Sequence, residues 1–104
     1  MSIDTQIIPP GVAASLVAVC ERHRVARLRL FGSVVRGEPT DASDIDLLVD
    51  YRDDFVPDLF EVFDLSEGLS EVFGGRPVDL GRESSLHWYL KPRILKEART
   101  IYEA

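Results

Sequence analysis

A mixed α/β (α+β) fold, a short mixed sheet flanked by helices, is predicted by three features of this 104-residue sequence. Some stretches repeat apolar residues at helical spacing, others alternate at strand spacing, and the two kinds follow one another along the chain. Pro and Gly fall between these stretches as punctuation. No repeat, low-complexity tract or linker divides the sequence, so residues 1–104 are expected to form one domain with one core.

The elements follow in order. Pro9, Pro10 and Gly11 precede Val12, Leu16, Val19, Cys20 and His23, whose spacing of three and four gives a one-sided apolar stripe and a first helix ending near Arg24. From Val25 to Phe31 the period becomes two, Arg27 and Arg29 alternating with Leu28 and Leu30, which predicts a strand closed by Gly32. A short turn or helix is expected over Ser33–Arg36, stopped by Gly37, and a loop over Glu38–Ser43. Asp44–Tyr51 is apolar and β-branched enough for a mostly buried second strand. Between Pro57 and Phe73, the residues Leu59, Val62, Phe63, Leu69 and Phe73 share one side of a helix, with Phe60 off the stripe. Gly74-Gly75 ends that helix, Arg76–Gly81 reads as a third strand, and Pro92–Arg99 as a last helix. The predicted order is α-β-(α)-β-α-β-α.

The net charge of −6 disfavours a surface that tracks long nucleic acid, but leaves phosphorylated small ligands open if metal ions neutralise them. One cysteine, Cys20, cannot form an internal disulfide, and no secretory leader is visible, so a cytoplasmic location is expected. No stretch approaches the roughly 20 apolar residues of a membrane span.

The chemistry is carried by Gly32-Ser33, then ten residues, then Asp44-Ile45-Asp46, with Asp79 isolated between Val78 and Leu80. Strand side chains alternate, so Asp44 and Asp46 point one way while Ile45, Leu47 and Val49 point into the packed face. A buried strand has no structural reason to carry two acids on one face, whereas a metal site does. If the strand of Asp79 lies alongside, three carboxylates converge and need cations to offset their repulsion. Mg²⁺ suits them, because it takes oxygen ligands and is usually held by one or two carboxylates plus substrate phosphates. Gly32 lets a phosphate approach the backbone N–H groups at the end of its strand, the Ser33 hydroxyl can donate to it, and Arg36 lies one turn on. A nucleoside triphosphate carries about −4, and with three carboxylates and two Mg²⁺ a residue of about −3 is left for N–H groups and arginines to offset.

These residues carry a resemblance. Gly32-Ser33-Val34-Val35-Arg36-Gly37, Ser43-Asp44-Ile45-Asp46-Leu47-Leu48-Val49, Arg76-Pro77-Val78-Asp79-Leu80 and the tail from Ile94 to Glu103 resemble the minimal nucleotidyltransferases of the DNA polymerase β-like superfamily, particularly the antitoxin partners of HEPN-domain ribonuclease toxins. The resemblance covers nearly the whole chain. It implies a small nucleotidyltransferase core in which Gly32 and Ser33 hold the triphosphate. Asp44, Asp46 and Asp79 are then the ligands of two Mg²⁺ ions, with Asp79 a candidate to accept the proton of the attacking hydroxyl. Val35 departs from the Ala of many relatives.

The implied reaction is attack of a hydroxyl on the α-phosphorus of ATP with loss of pyrophosphate. No acceptor-binding domain is visible, so the expected acceptor is a side-chain hydroxyl, Tyr, of a cognate HEPN ribonuclease toxin, which AMP transfer would neutralise. Two alternatives are a non-catalytic antitoxin acting by stoichiometric binding and an adenylyltransferase of a small molecule such as an aminoglycoside. Other residues have plainer readings. Asp50 is expected as a solvated strand cap, Ser43 as a turn former, Cys20 as core, and Trp88 and Tyr89 as aromatics packed beside the sheet. Arg36 has two readings, phosphate ligand or ion-pair partner of Asp44 or Glu38. His23 and His87 have no partners at ligand spacing, and Phe55 and Phe60 are the candidates for a partner patch.

Overall fold

The computed structural model describes residues 2–4, 6–37 and 44–104. The loop predicted over Glu38–Ser43, including Ser43 itself, lies outside the described residues. In chain order the elements are β1 (Ser2–Ile3), α1 (Pro10–Arg22), β2 (Val25–Phe31), β3 (Ile45–Tyr51), α2 (Leu59–Val72), β4 (Val78–Gly81), a 3-10 turn (Glu83–Ser85), α3 (Lys91–Glu97) and β5 (Arg99–Glu103). The strands form one mixed sheet in the order β1-β5-β2-β3-β4, in which β3 and β4 run parallel and the other pairs antiparallel.

The predicted elements appear with shifted ends, and local chemistry explains the shifts. Pro10 opens α1 at a position where its missing N–H costs nothing, and Arg24, at φ 59°, turns the chain into β2. In α2 the start falls at Leu59 because Asp58 caps it: Asp58 Oδ1 accepts from the Glu61 N–H at 2.8 Å, and Glu61 Oε1 accepts from the Asp58 N–H at 3.2 Å. Ser33–Arg36 forms turns rather than a helix, with one helix-like bond from the Arg36 N–H to the Gly32 carbonyl. The last helix stops at Glu97, two residues short of the predicted end, because Arg99–Glu103 is a strand. That strand and the two-residue β1 were not predicted. Between them β5 buries Ile101 and Tyr102 completely, next to β2.

One face of the sheet carries the core. Leu28 and Leu30 of β2 and Ile45, Leu47 and Val49 of β3 pack with Leu16, Val19 and Cys20 of α1 and Leu65 and Leu69 of α2. Gly68 is buried against Val19, so α2 turns that side toward α1. The rotation leaves Leu59 (85% exposed), Phe60 (81%) and Phe63 outside, although Leu59 and Phe63 belong to the predicted stripe. Trp88, 83% exposed, and Tyr89 also stand in solvent rather than beside the sheet. Phe55, by contrast, is partly covered, edge-on to Tyr51 and under the Arg24 guanidinium.

Cys20 is a core residue, fully buried, and burial pushes its thiol up to about 12, with Arg52 opposing weakly. At pH 8 it should therefore stay unreactive toward a thiol reagent in the folded protein and react on addition of denaturant. Stoichiometric labelling without unfolding would contradict the buried placement.

Candidate active site

The second face of the sheet carries the polar residues. Alternation puts Asp46, Leu48 and Asp50 of β3 on this side, with Arg27, Arg29 and Phe31 of β2 beside them in antiparallel register. The parallel pairing of β3 with β4 sets Asp46 level with Asp79, so both acids project from neighbouring strands on the same face. Phe31 pairs with Asp46 on the other side, which brings the β2 terminus and Gly32 to the same end of the sheet. Asp44 lies just ahead of β3 and is exposed.

Gly32 is shaped by Asp46. Its φ is 83°, a left-handed conformation open to glycine, and a Cβ there would collide with Asp46 Oδ2 and stand 3.1 Å from its Cγ. The absence of a side chain therefore lets backbone and carboxylate meet.

The electrostatics agree with this grouping. The Asp46 carboxyl is raised above its ordinary range, first by desolvation, then by the charges of Asp79 and Asp44, with Arg36 opposing and Glu97 adding a smaller push. Among the described residues no three acidic, His or Cys side chains stand close enough together to hold a metal as a closed set. What the sheet supplies instead is an adjacent carboxylate pair, Asp46 and Asp79, with Asp44 at the strand entrance. Such an oxygen set fits a small hard cation that completes its shell with water and phosphate oxygens.

Two sequence-based expectations need correction. The Gly32 N–H, expected to face outward without an internal partner, donates to Glu97 Oε1 at 2.8 Å. Arg36, read as phosphate ligand or as ion-pair partner of Asp44 or Glu38, donates from Nη1 to that same Glu97 oxygen at 3.0 Å, and Glu38 lies outside the described residues. Ser33 sits partly covered in the turn between them. Asp50 is not a solvated cap: its Oδ2 accepts from Arg27 Nε at 2.9 Å and from Arg29 Nη2 at 3.4 Å. Arg29 in turn donates to Glu83 Oε2 at 3.0 Å, tying the 3-10 turn to the sheet behind the acids. Glu97 is the residue that reading the sequence missed. It is 65 positions from Gly32, and only the pairing of β2 with β5 brings the two together.

A sheet of this topology, with two acids level on its open face beside a glycine turn, belongs to the nucleotidyltransferases. The nucleotidyltransferase domain family matches residues 15–101, and the chain is a member of it. Within that family its relatives are small. Protein adenylyltransferase MntA of Thermococcus cleftensis is 40% identical over 77 residues, spanning 74% of this chain and 75% of that protein. A solved structure described as a candidate minimal nucleotidyltransferase is 35% identical and covers 93% of this chain and 95% of its own, with a TM-score of 0.68. A crystal structure of a toxin-antitoxin with AMP-PNP shares the fold, with a TM-score of 0.68 at 20% identity over 88% of this chain and 73% of its own. Among the described residues no helix is long and apolar enough to cross a membrane.

Proposed function

We propose that this nucleotidyltransferase is an antitoxin that transfers AMP from ATP to a tyrosine hydroxyl of a cognate HEPN ribonuclease toxin and so silences it. The observation that carries the reading is the register of the parallel pair, which sets Asp46 and Asp79 side by side beside the Gly32 turn. The relative named as a protein adenylyltransferase and the toxin-antitoxin fold neighbour support a protein acceptor.

In this mechanism the acceptor oxygen bonds to the α-phosphorus as the bond to the β-phosphate bridging oxygen breaks, and pyrophosphate leaves. Asp44, Asp46 and Asp79 are the residues that would hold Mg²⁺. When bound, it supplies the positive charge that offsets the triphosphate and stabilises the attacking and leaving oxygens. Gly32, Ser33 and Arg36 hold the phosphate tail, so its α-phosphorus is presented toward the carboxylates. Asp79, exposed at the edge strand β4, is the candidate acceptor for the proton of the incoming hydroxyl.

A second reading, silencing by stoichiometric contact, is favoured by one feature: Val56, Leu59, Phe60 and Phe63 expose an apolar surface around the start of α2. One experiment separates the two. The chain is incubated with the toxin, Mg²⁺ and α-labelled ATP, and label is expected on the toxin together with loss of ribonuclease activity. Asp44→Ala should still bind the toxin and fail to silence it. A silenced toxin without label, or full silencing by the variant, would leave contact alone as the mechanism.

A further inference from the structure

Glu97 occupies the anion cradle that the proposed function assigns to phosphate. Its Oε1 accepts both the Gly32 N–H and the Arg36 guanidinium, and its side chain is only 19% exposed. The placement is built into the backbone. The β2–β5 register pairs Leu30 with Arg99, and continuing it for two residues brings Glu97 level with Gly32. The helix α3 ends at this residue, and the strand begins two residues later, which leaves Ala98 as the joint between them.

A backbone N–H has one hydrogen, and a well-directed bond to Glu97 leaves none for a phosphate oxygen. We infer that Glu97 is an internal competitor for the triphosphate: nucleotide enters by displacing its carboxylate from Gly32 and Arg36, and this exchange sets the affinity of the site. The inference rests on the proposed nucleotide-binding role of these residues. A single carboxylate carries one negative charge, so a polyphosphate can replace it where a simple monovalent anion gains little. The same carboxylate adds to the negative field at Asp46, so its departure also removes a like charge from the acids. The apparent dissociation constant is the intrinsic one divided by the fraction of molecules in which the cradle is open.

The test is calorimetric titration of the full chain with AMP-PNP and Mg²⁺, comparing wild type with Glu97→Gln. The glutamine keeps an oxygen for the Gly32 N–H but loses the charge that holds Arg36. The variant is expected to bind about fivefold more tightly or better. Equal or weaker binding by a folded Glu97→Gln overturns the inference, weaker binding marking Glu97 as a group that helps hold the ligand. Should that variant fail to fold, the wild-type chain decides. In an NMR titration with AMP-PNP and Mg²⁺, the Gly32 amide and the Glu97 carboxyl carbon should shift together along one binding curve. A Gly32 shift with Glu97 unmoved overturns the exchange. No binding by either folded protein at millimolar AMP-PNP sinks the nucleotide-site reading itself, and the competitor role with it.

Discussion

Asp46→Asn should lower the proposed AMP transfer to the toxin by about a thousandfold or more, while raising the melting temperature of chelator-treated protein. The two effects share one cause. Asp46 is held where burial and the charges of Asp79 and Asp44 disfavour its ionised form more than Arg36 favours it, and a bound cation or a proton relieves that. Loss of a carboxylate proposed to hold Mg²⁺ is expected to remove several kcal/mol of transition-state stabilisation, and about 4 kcal/mol corresponds to the thousandfold. For stability, the folded chain holds the Asp46 proton more tightly than the unfolded chain does. The destabilisation is therefore full above the raised folded pKa and fades as pH falls through it toward the ordinary value of 3.8. The asparagine variant should melt higher than wild type at pH 7, and the gain should vanish near pH 3, below the ordinary carboxyl value of 3.8. Thermal melts at the two pH values in EDTA, beside the transfer assay, provide the check. A variant less stable than wild type at pH 7 would show that Asp46 contributes contacts that outweigh its charge.

Gly32→Ala is expected to damage both fold and function. The left-handed backbone costs an L-residue about 1–2 kcal/mol, and crowding Asp46 adds about 1–3 kcal/mol. For a chain of this size the melting temperature should fall by about 10 °C or more. The proposed AMP transfer should fall at least about a hundredfold, because the added methyl pushes Asp46 from its place. Gly37→Ala is the control. Gly37 shares the positive φ, at 75°, but among the described residues no atom lies within 4 Å of its would-be Cβ, so the backbone cost is the one expected there. Equal losses in the two variants would mean that the contact with Asp46 is unimportant.

What could be read in the sequence was what depends on short-range periodicity. Two acids spaced by two residues in an otherwise apolar strand announce a shared face, and Asp79 between Val78 and Leu80 announces a second such strand. The parallel register then sets Asp46 and Asp79 level. Glu97 had no such local signature. On the surface of a short helix it looks like any solvated acid, and its value comes from a strand pairing that closes late along the chain. The strand β5 itself was hidden because Thr100-Ile101-Tyr102 is short and follows a helical pattern without a Gly or Pro between them. Asp50 was misread for a similar reason, since Arg27 and Arg29 come to it from the neighbouring strand. The aromatic pair Trp88 and Tyr89 shows the reverse error: their hydrophobicity suggests burial, but they stand 83% and 60% exposed, their rings in contact with each other and Tyr89 with His87.

The parallel pair also determines where the gene can tolerate length change. The stretch from Gly74 to Pro77 connects α2 to β4 outside either element and is tied to its surroundings, the Arg76 carbonyl accepting from Ser70 Oγ at 2.7 Å and the Pro77 carbonyl from the Ile45 N–H at 2.8 Å. Adding or removing a residue there is expected to disturb these contacts. Within the four residues of β4 a change of length has a larger consequence. A slip of one position would swing the Asp79 carboxylate to the side where Leu80 meets the core and carry Leu80 out to water. Descendants of this sequence are thus expected to absorb a length change in the connector sooner than in the strand, where the frame is locked.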